Sequence, residues 1–177
     1  MRPSPDEARA MLENAGVFAA VAPFDGRFIG SIPLDLHGEG ADADIVCQAQ
    51  NLDLFVVTLT AAFGNRPGFR AQVAPYLGRP SSIVKFAVGG LPVEVFARPE
   101  PVEAHESFRH HRAAQRLLAL GGLALANQVR GLKAAGLKTE PAFAVALGLE
   151  GDPSLAMLTL AEAPGFVLAA LVASWGA

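Results

Sequence analysis

The sequence predicts an α+β protein, a small mixed β-sheet with helices packed on it and a C-terminal helical region. Three observations lead there. Short apolar runs bounded by glycine or proline fill the stretch from Phe28 to Ala97. Two of these runs, Ser82 to Val88 and Leu91 to Ala97, are joined by Gly89-Gly90 alone. From Glu103 onward the apolar period becomes helical, interrupted at Gly121-Gly122, Gly136, Gly151 and Pro164. Strands first and helices afterwards place the two kinds of layer in separate parts of the chain.

The elements follow in order. Asp6 to Ala15 reads as a helix with Ala8, Met11, Leu12 and Ala15 on one face and Gly16 as its stop. Phe28-Ile29-Gly30 reads as a short strand ending at a turn. Ala43 to Gln48 is a second strand, with Asp42, Asp44 and Val46 on one face and Ala43, Ile45 and Cys47 on the other. Asn51 to Phe63 is a helix capped by Asn51 or Asp53, and Gly64 to Pro80 is a loop.

The two runs around Gly89-Gly90 form a β-hairpin. With a two-residue turn, Val88 faces Leu91, Phe86 faces Val93 and Lys85 faces Glu94. Lys85 then forms an ordinary cross-strand ion pair or serves the phosphate and metal chemistry described below. Five helices complete the chain: Glu103 to Leu120, Leu123 to Ala135, Thr139 to Leu149, Ser154 to Ala161 and Gly165 to Trp175. Thr139 is placed to cap the third, and Asp152 to cap the fourth with Pro153 at its first position. With 177 residues and 51% hydrophobic composition, the chain suits one domain over residues 1–177, an α/β core to about residue 100 and a helical cover from there to the end.

Charge narrows the function. A net charge of -3 and a pI near 5.8 argue against broad nonspecific nucleic-acid binding, although a local basic ridge remains compatible with them. His105, Arg109, Arg112 and Arg116 recur at helical spacing and form such a stripe, suited to a triphosphate or polyanion or simply to a solvated face. The longest uncharged run, Ala163 to Ala177, contains Pro164 and Gly165 and is shorter than the ~18 residues of a membrane helix, and no signal-peptide core opens the chain. Cys47 is the only cysteine, so an internal disulfide is excluded and a reduced, cytoplasmic setting fits.

The chemistry is concentrated in three carboxylates. Asp42 and Asp44 share one face of a strand, and Glu94 stands between Val93 and Val95 on another. Two carboxylates about 4 Å apart repel by roughly 4 kcal/mol at an effective dielectric near 20, and a hard divalent cation removes that cost. Mg²⁺ takes oxygen ligands and leaves room for substrate phosphates, so Asp42, Asp44 and Glu94 fit a phosphoryl-transfer site. Gly30 lets a triphosphate approach the backbone, where Ser31 and neighbouring amides can donate to its oxygens.

Phe28-Ile29-Gly30-Ser31, Asp42-Ala43-Asp44-Ile45 and Val93-Glu94-Val95 together resemble the signature of the polymerase-β-like nucleotidyltransferase superfamily. Most of the chain is similar to an uncharacterised bacterial family of nucleotidyltransferase-like proteins, a domain of unknown function. That similarity runs through Gly30 to Asp35, Asp42 to Cys47, Val93 to Phe96, Arg109-His110, Gly136 to Ala144 and Gly151-Asp152-Pro153. Ser154 and Ala156 depart from it, where a larger aromatic or acidic residue is expected. The resemblance implies a minimal nucleotidyltransferase fold in which Asp42, Asp44 and Glu94 bind Mg²⁺ or Mn²⁺ and Ser31 contacts the β or γ phosphate. It further implies a nucleoside triphosphate as substrate and Glu94 as the acid that orients or deprotonates the acceptor. The expected products are a nucleotidylated acceptor and pyrophosphate.

A small-molecule or protein hydroxyl is preferred to nucleic acid as acceptor. A catalytically inactive nucleotide- or partner-binding module is the alternative. Arg109 and Lys138 are further candidate phosphate contacts, Lys138 because it sits with Glu140 beside a helix start. His110 and His111 read as structural histidines, and Asp35 as a supporting acid or an exposed one. His105-Glu106 lacks the second histidine of a zinc protease. Phe166 to Trp175 reads as a packing helix, with contact between copies of the chain as its other role.

Overall fold

The computed structural model describes residues 2–176. Its N-terminal part begins with α1 (Pro5–Asn14), whose Ser4 and Glu7 form a reciprocal capping box, and α2 (Val17–Val21), entered through a left-handed Gly16. A single 3₁₀ turn, Ala22–Phe24, leads into β1 (Arg27–Ile29). Then come β2 (Ala43–Gln48), α3 (Leu52–Phe63), β3 (Arg70–Val73), β4 (Ser82–Val88) and β5 (Leu91–Arg98). The predicted strand over Ala43 to Gln48 is present with those limits, and Asn51 caps α3 by accepting from the Leu54 N–H at 2.9 Å.

The strands form one mixed sheet in the order β1-β2-β5-β4-β3, with β2 and β5 parallel and the other pairs antiparallel. The hairpin has the expected register: Val88 opposite Leu91, Phe86 opposite Val93 and Lys85 opposite Glu94. Strand β3 departs from the loop expected over Gly64 to Pro80. All four of its residues are exposed, so it carries no alternation of apolar and polar residues, and it binds the sheet edge through backbone pairing to β4.

Alternation gives the central strands two unlike faces. Ala43, Ile45, Cys47, Val84, Phe86, Val93 and Val95 are buried against Leu12, Val17, Phe55, Leu59 and Phe63 of α1 to α3. Phe63 stacks on Phe86 with centroids 4.4 Å apart. The opposite face carries Asp44, Lys85, Glu94 and Arg98 and looks towards the second half of the chain.

That half begins with a 3₁₀ turn at Val102–Ala104 and continues as α4 (Glu106–Ala134), α5 (Thr139–Leu147), α6 (Pro153–Glu162) and α7 (Gly165–Trp175). The helix expected from Glu103 starts at Glu106, because His105 is in extended backbone and nearly fully buried. Gly122, at φ 56° and ψ -151°, breaks α4 into two helical segments where the Gly121-Gly122 break was expected. Asp152 caps α6 by accepting from the Leu155 N–H at 2.8 Å, with Pro153 at the first position. Thr139 does not cap α5, since its side chain is taken by Lys133. A second core unites Leu36, Leu117, Leu125, Val129, Phe143, Met157 and Leu168. Among the described residues, no helix is long and apolar enough to cross a membrane.

Candidate functional site

Strand β1 ends beside the second acid: Ile29 pairs with Asp44, and Gly30 follows at φ +82°. A Cβ on Gly30 would stand 2.4 Å from Asp44 Oδ2, so the chain passes the carboxylate at a distance only glycine allows. Across the parallel pair, Asp44 is in register with Glu94, which puts both side chains on the same face of the sheet. Gly30, Ser31, Asp44 and Glu94 line a cleft of about 520 Å³ whose far side is formed by His110, His111, Thr139, Glu140 and Ser154.

Burial raises the Asp44 pKa to about 7, and the neighbouring charges of Glu94, Asp42 and Glu140 push in the same direction, against Lys85. Glu94 has a cation of its own, since Lys85 forms an ion pair with it across the hairpin. That hydrogen bond to Glu94 holds the Lys85 pKa above its usual range. Lys133 is the other cation near the acids. Its Nζ donates to Thr139 Oγ1 at 2.8 Å, and burial lowers its pKa against the opposing pull of Glu140 and Asp44. His111 also lines the cleft, and burial, against the opposing effect of the Gly30 backbone, lowers its pKa and favours the neutral ring.

On the opposite wall, His110 Nδ1 lies 3.3 Å from Glu140 Oε1, while Nε2 lies 3.2 Å from Ser154 Oγ and 3.1 Å from the Ser154 carbonyl oxygen. The hydrogen bond from His110 lowers the Glu140 pKa, despite burial. Arg98 closes one end of the cleft. It is 2% exposed and donates to Glu106 Oε2 at 3.0 Å and to the Tyr76 carbonyl at 3.2 Å, between the rings of Phe96 and Tyr76.

The residues predicted for the site separate into two groups. Gly30, Ser31, Asp44 and Glu94 meet in the cleft, with Lys85 joined to Glu94. Asp42 lies exposed just before β2, outside the cleft lining but close enough to act on the Asp44 charge. Lys138 is the exposed N-cap of α5 and is outside the cleft lining; on the helical side it is Lys133, at the end of α4, whose charge interacts with Asp44.

Arg109 is likewise outside the cleft lining: its Nε meets Glu162 Oε1 at 3.2 Å, and it donates to the Leu158 carbonyl. Arg112 donates to the Ala161 carbonyl and Glu162, and Arg116 donates to the carbonyls of Leu160, Ala161 and Ala163. The three arginines of the basic stripe therefore satisfy the free carbonyls and negative end of α6 while staying partly exposed to solvent. His105 is not a member, because it precedes the helix. Sequence reasoning missed Lys133 and Arg98, named Glu140 only beside Lys138 and Ser154 only as a departure from the family pattern, and gave His110 only a structural role. Of these, Arg98 alone carries a local signal, as it continues the alternation of Glu94 and Phe96.

A divalent cation can be tested against this donor set. Every candidate ligand is a carboxylate oxygen, and Asp44 retains a proton affinity that nearby negative charge enlarges, so a hard cation in place of that proton suits the site. Among the described residues, no three His, Cys, Asp or Glu side chains converge as they stand into a group that could hold a metal ion. The residues fit Mg²⁺ in chemistry and in shared face, with Glu94 held back by Lys85.

Comparison with known proteins gives the fold independently. A family model described as a domain of unknown function, DUF4269, matches residues 10–160. No curated protein matches. Among solved structures, the Cid1 poly(U) polymerase with MgGTP bound aligns at TM-score 0.51 and 14% identity, over 73% of this chain and 41% of that one. A second Cid1 structure, described for its RNA terminal uridylyl transferase activity, aligns at 0.53 and 12%, over 73% and 40%. The GLD-2/RNP-8 complex aligns at 0.51 and 10% identity, over 97% of this chain and 76% of that one. The chain thus spans about two-fifths of the Cid1 structures it matches, and it has a nucleotidyltransferase fold.

Proposed function

The chain belongs to the DUF4269 family, a domain of unknown function, and from that premise we propose that it is a metal-dependent nucleotidyltransferase. It transfers a nucleoside monophosphate from a nucleoside triphosphate to an acceptor hydroxyl and releases pyrophosphate. The observation that carries this reading is the register of Asp44 with Glu94 beside Gly30-Ser31 in one cleft.

In this reading Asp44 and Glu94, with Asp42 at the rim, hold Mg²⁺ or Mn²⁺. When bound, the ion neutralises phosphate oxygens and stabilises the charge of an in-line displacement. The residues do the rest. Gly30 leaves the backbone open to the triphosphate, and Ser31 donates to its oxygens. Lys85 fixes the direction of the Glu94 carboxylate until phosphate or metal competes for it. Lys133 supplies positive charge from the helical side. In this reading residues 1–177 form one nucleotidyltransferase-like unit, and a small-molecule or protein hydroxyl is the acceptor in preference to nucleic acid.

The second reading is an inactive nucleotide- or partner-binding module, and two observations favour it: Glu94 is already closed by Lys85, and among the described residues no three ligands converge. Turnover separates the two. Thermal-shift measurements with each of the four nucleoside triphosphates and Mg²⁺ or Mn²⁺ are expected to stabilise the wild type and not Asp44→Ala. Pyrophosphate release with cell extract as acceptor source supports transfer. Equal shifts in both proteins exclude the site, and binding without pyrophosphate favours the module.

A further inference from the structure

Ser154, His110 and Glu140 stand in line on the cleft wall opposite Asp44, on three different helices. Ser154 Oγ is 3.2 Å from His110 Nε2, and His110 Nδ1 is 3.3 Å from Glu140. A hydroxyl on an imidazole nitrogen, with a carboxylate on the other nitrogen, is the arrangement that activates a serine nucleophile. The usual structural duties do not account for it. Ser154 lies in the first turn of α6, but the cap is Asp152, so the serine hydroxyl is spare. Ser154 is exposed to the cleft, whereas the His110 side chain is 15% exposed and fixed at both nitrogens. The proton it would accept has a place to rest: the resulting Nε2–H faces the Ser154 carbonyl oxygen at 3.1 Å, and Nδ1–H faces Glu140.

The two walls belong to one cleft, with Gly30, Ser31, Asp44 and Glu94 on the sheet side and His110, Glu140 and Ser154 on the helical side. Gly30-Ser31 and the Ser154 hydroxyl line this same cleft.

We propose that Ser154 is the acceptor, so that the protein nucleotidylates itself. This deepens the nucleotidyl-transfer reading and rests on it. Ser154 Oγ attacks the α-phosphorus and a new O–P bond forms. The bond from the α-phosphorus to the bridging oxygen breaks, and pyrophosphate leaves with that electron pair. The Ser154 proton passes to His110 Nε2 and from there to solvent. His110 is a catalytic residue in this scheme, and Glu140 a positioning residue that acts through it.

Two measurements on the full chain test it. In EDTA, a fluorophosphonate probe is expected to label Ser154 with loss of fluoride. Labelling disappears in Ser154→Ala and falls about 100-fold or more in His110→Ala, with partial recovery when imidazole is added. With Mg²⁺ and a nucleoside triphosphate, peptide mass spectrometry is expected to find the monophosphate on Ser154. Ser154→Ala loses that adduct while keeping the nucleotide-dependent thermal shift. Glu140→Gln lowers the rate at saturating nucleotide without changing the half-saturating concentration. An adduct that persists in Ser154→Ala, or pyrophosphate released only to another acceptor, overturns self-transfer and leaves nucleotidyl transfer standing. If no nucleoside triphosphate shifts the wild type or yields pyrophosphate, both readings fall, whatever the probe labels.

Discussion

Asp44 and Glu94 are register partners on the parallel strands β2 and β5, yet only Glu94 has a cation partner among the described residues. Two chemically similar acids thus have different roles before any ligand arrives. Glu94 is oriented by Lys85 across the hairpin, whereas Asp44 sits against Gly30 with negative neighbours and a pKa near 7. The energetic tension of the site is concentrated at Asp44.

That tension has a sign. Between the ordinary value of 3.8 and the raised value of about 7, the folded protein keeps a proton on Asp44 that the unfolded chain has lost. Stability contributed by this group is therefore greatest below that window, declines as pH rises through it, and levels off above pH 7. At pH 8 in EDTA, Asp44→Asn is expected to be more stable than wild type by up to about 4 kcal/mol, with the difference gone near pH 4. Urea denaturation at the two pH values measures it, and equal stability at pH 8 contradicts the electrostatic account.

In the proposed metal site, Lys85 is the group a metal has to displace from Glu94. Its side chain is 48% exposed, so Lys85→Met is expected to cost less than about 1 kcal/mol of folding stability. The same substitution leaves Glu94 and Asp44 without their opposing charge, and Mg²⁺ is expected to bind severalfold more tightly in the absence of nucleotide. Isothermal titration calorimetry at fixed ionic strength reads both constants. Weaker Mg²⁺ binding in Lys85→Met would mean that the lysine organises the site rather than closing it.

Gly30 is tied to Asp44 by space. Gly30→Ala combines a left-handed φ with a Cβ 2.4 Å from Asp44 Oδ2, and a loss of about 1–3 kcal/mol is expected. Part of that loss comes from the clash alone. The Gly30→Ala, Asp44→Ala double variant should therefore be more stable than the sum of the single effects. Thermal or urea denaturation of the four proteins gives the coupling, and strict additivity would show that the contact carries none of it.

What is legible in the sequence is what short-range pattern determines. Alternation gives β2 its limits, and Gly89-Gly90 sets the register that joins Lys85 to Glu94. Strand β3 is not legible, since an edge strand with all residues exposed has no apolar period to betray it. Lys138 and Lys133 illustrate a second limit: both flank the α4–α5 junction, and only the packing of α4 against α5 decides which one turns to Asp44. His110, Glu140 and Ser154 lie on three helices, so no spacing in the chain brings them together.

The arginine stripe gives the cleanest contrast between a pattern and its use. Helical spacing groups Arg109, Arg112 and Arg116, and a face of three guanidinium groups suits phosphate as well as it suits water. The structure spends these donors on α6. Arg116 reaches the Ala163 carbonyl at 2.7 Å and the Ala161 carbonyl at 2.9 Å, closing the end of a helix whose last turn has no basic residue of its own. Arg116→Ala leaves the Ala163 carbonyl without its side-chain donor, while Ala161 keeps Arg112, and the loss is expected to cost about 1–3 kcal/mol. A nucleotide contact would instead raise the concentration of triphosphate needed for half of the thermal shift. Urea denaturation paired with a nucleotide titration separates the two roles: lower stability with unchanged nucleotide dependence is expected, and unchanged stability with weakened nucleotide binding would return the stripe to the phosphate.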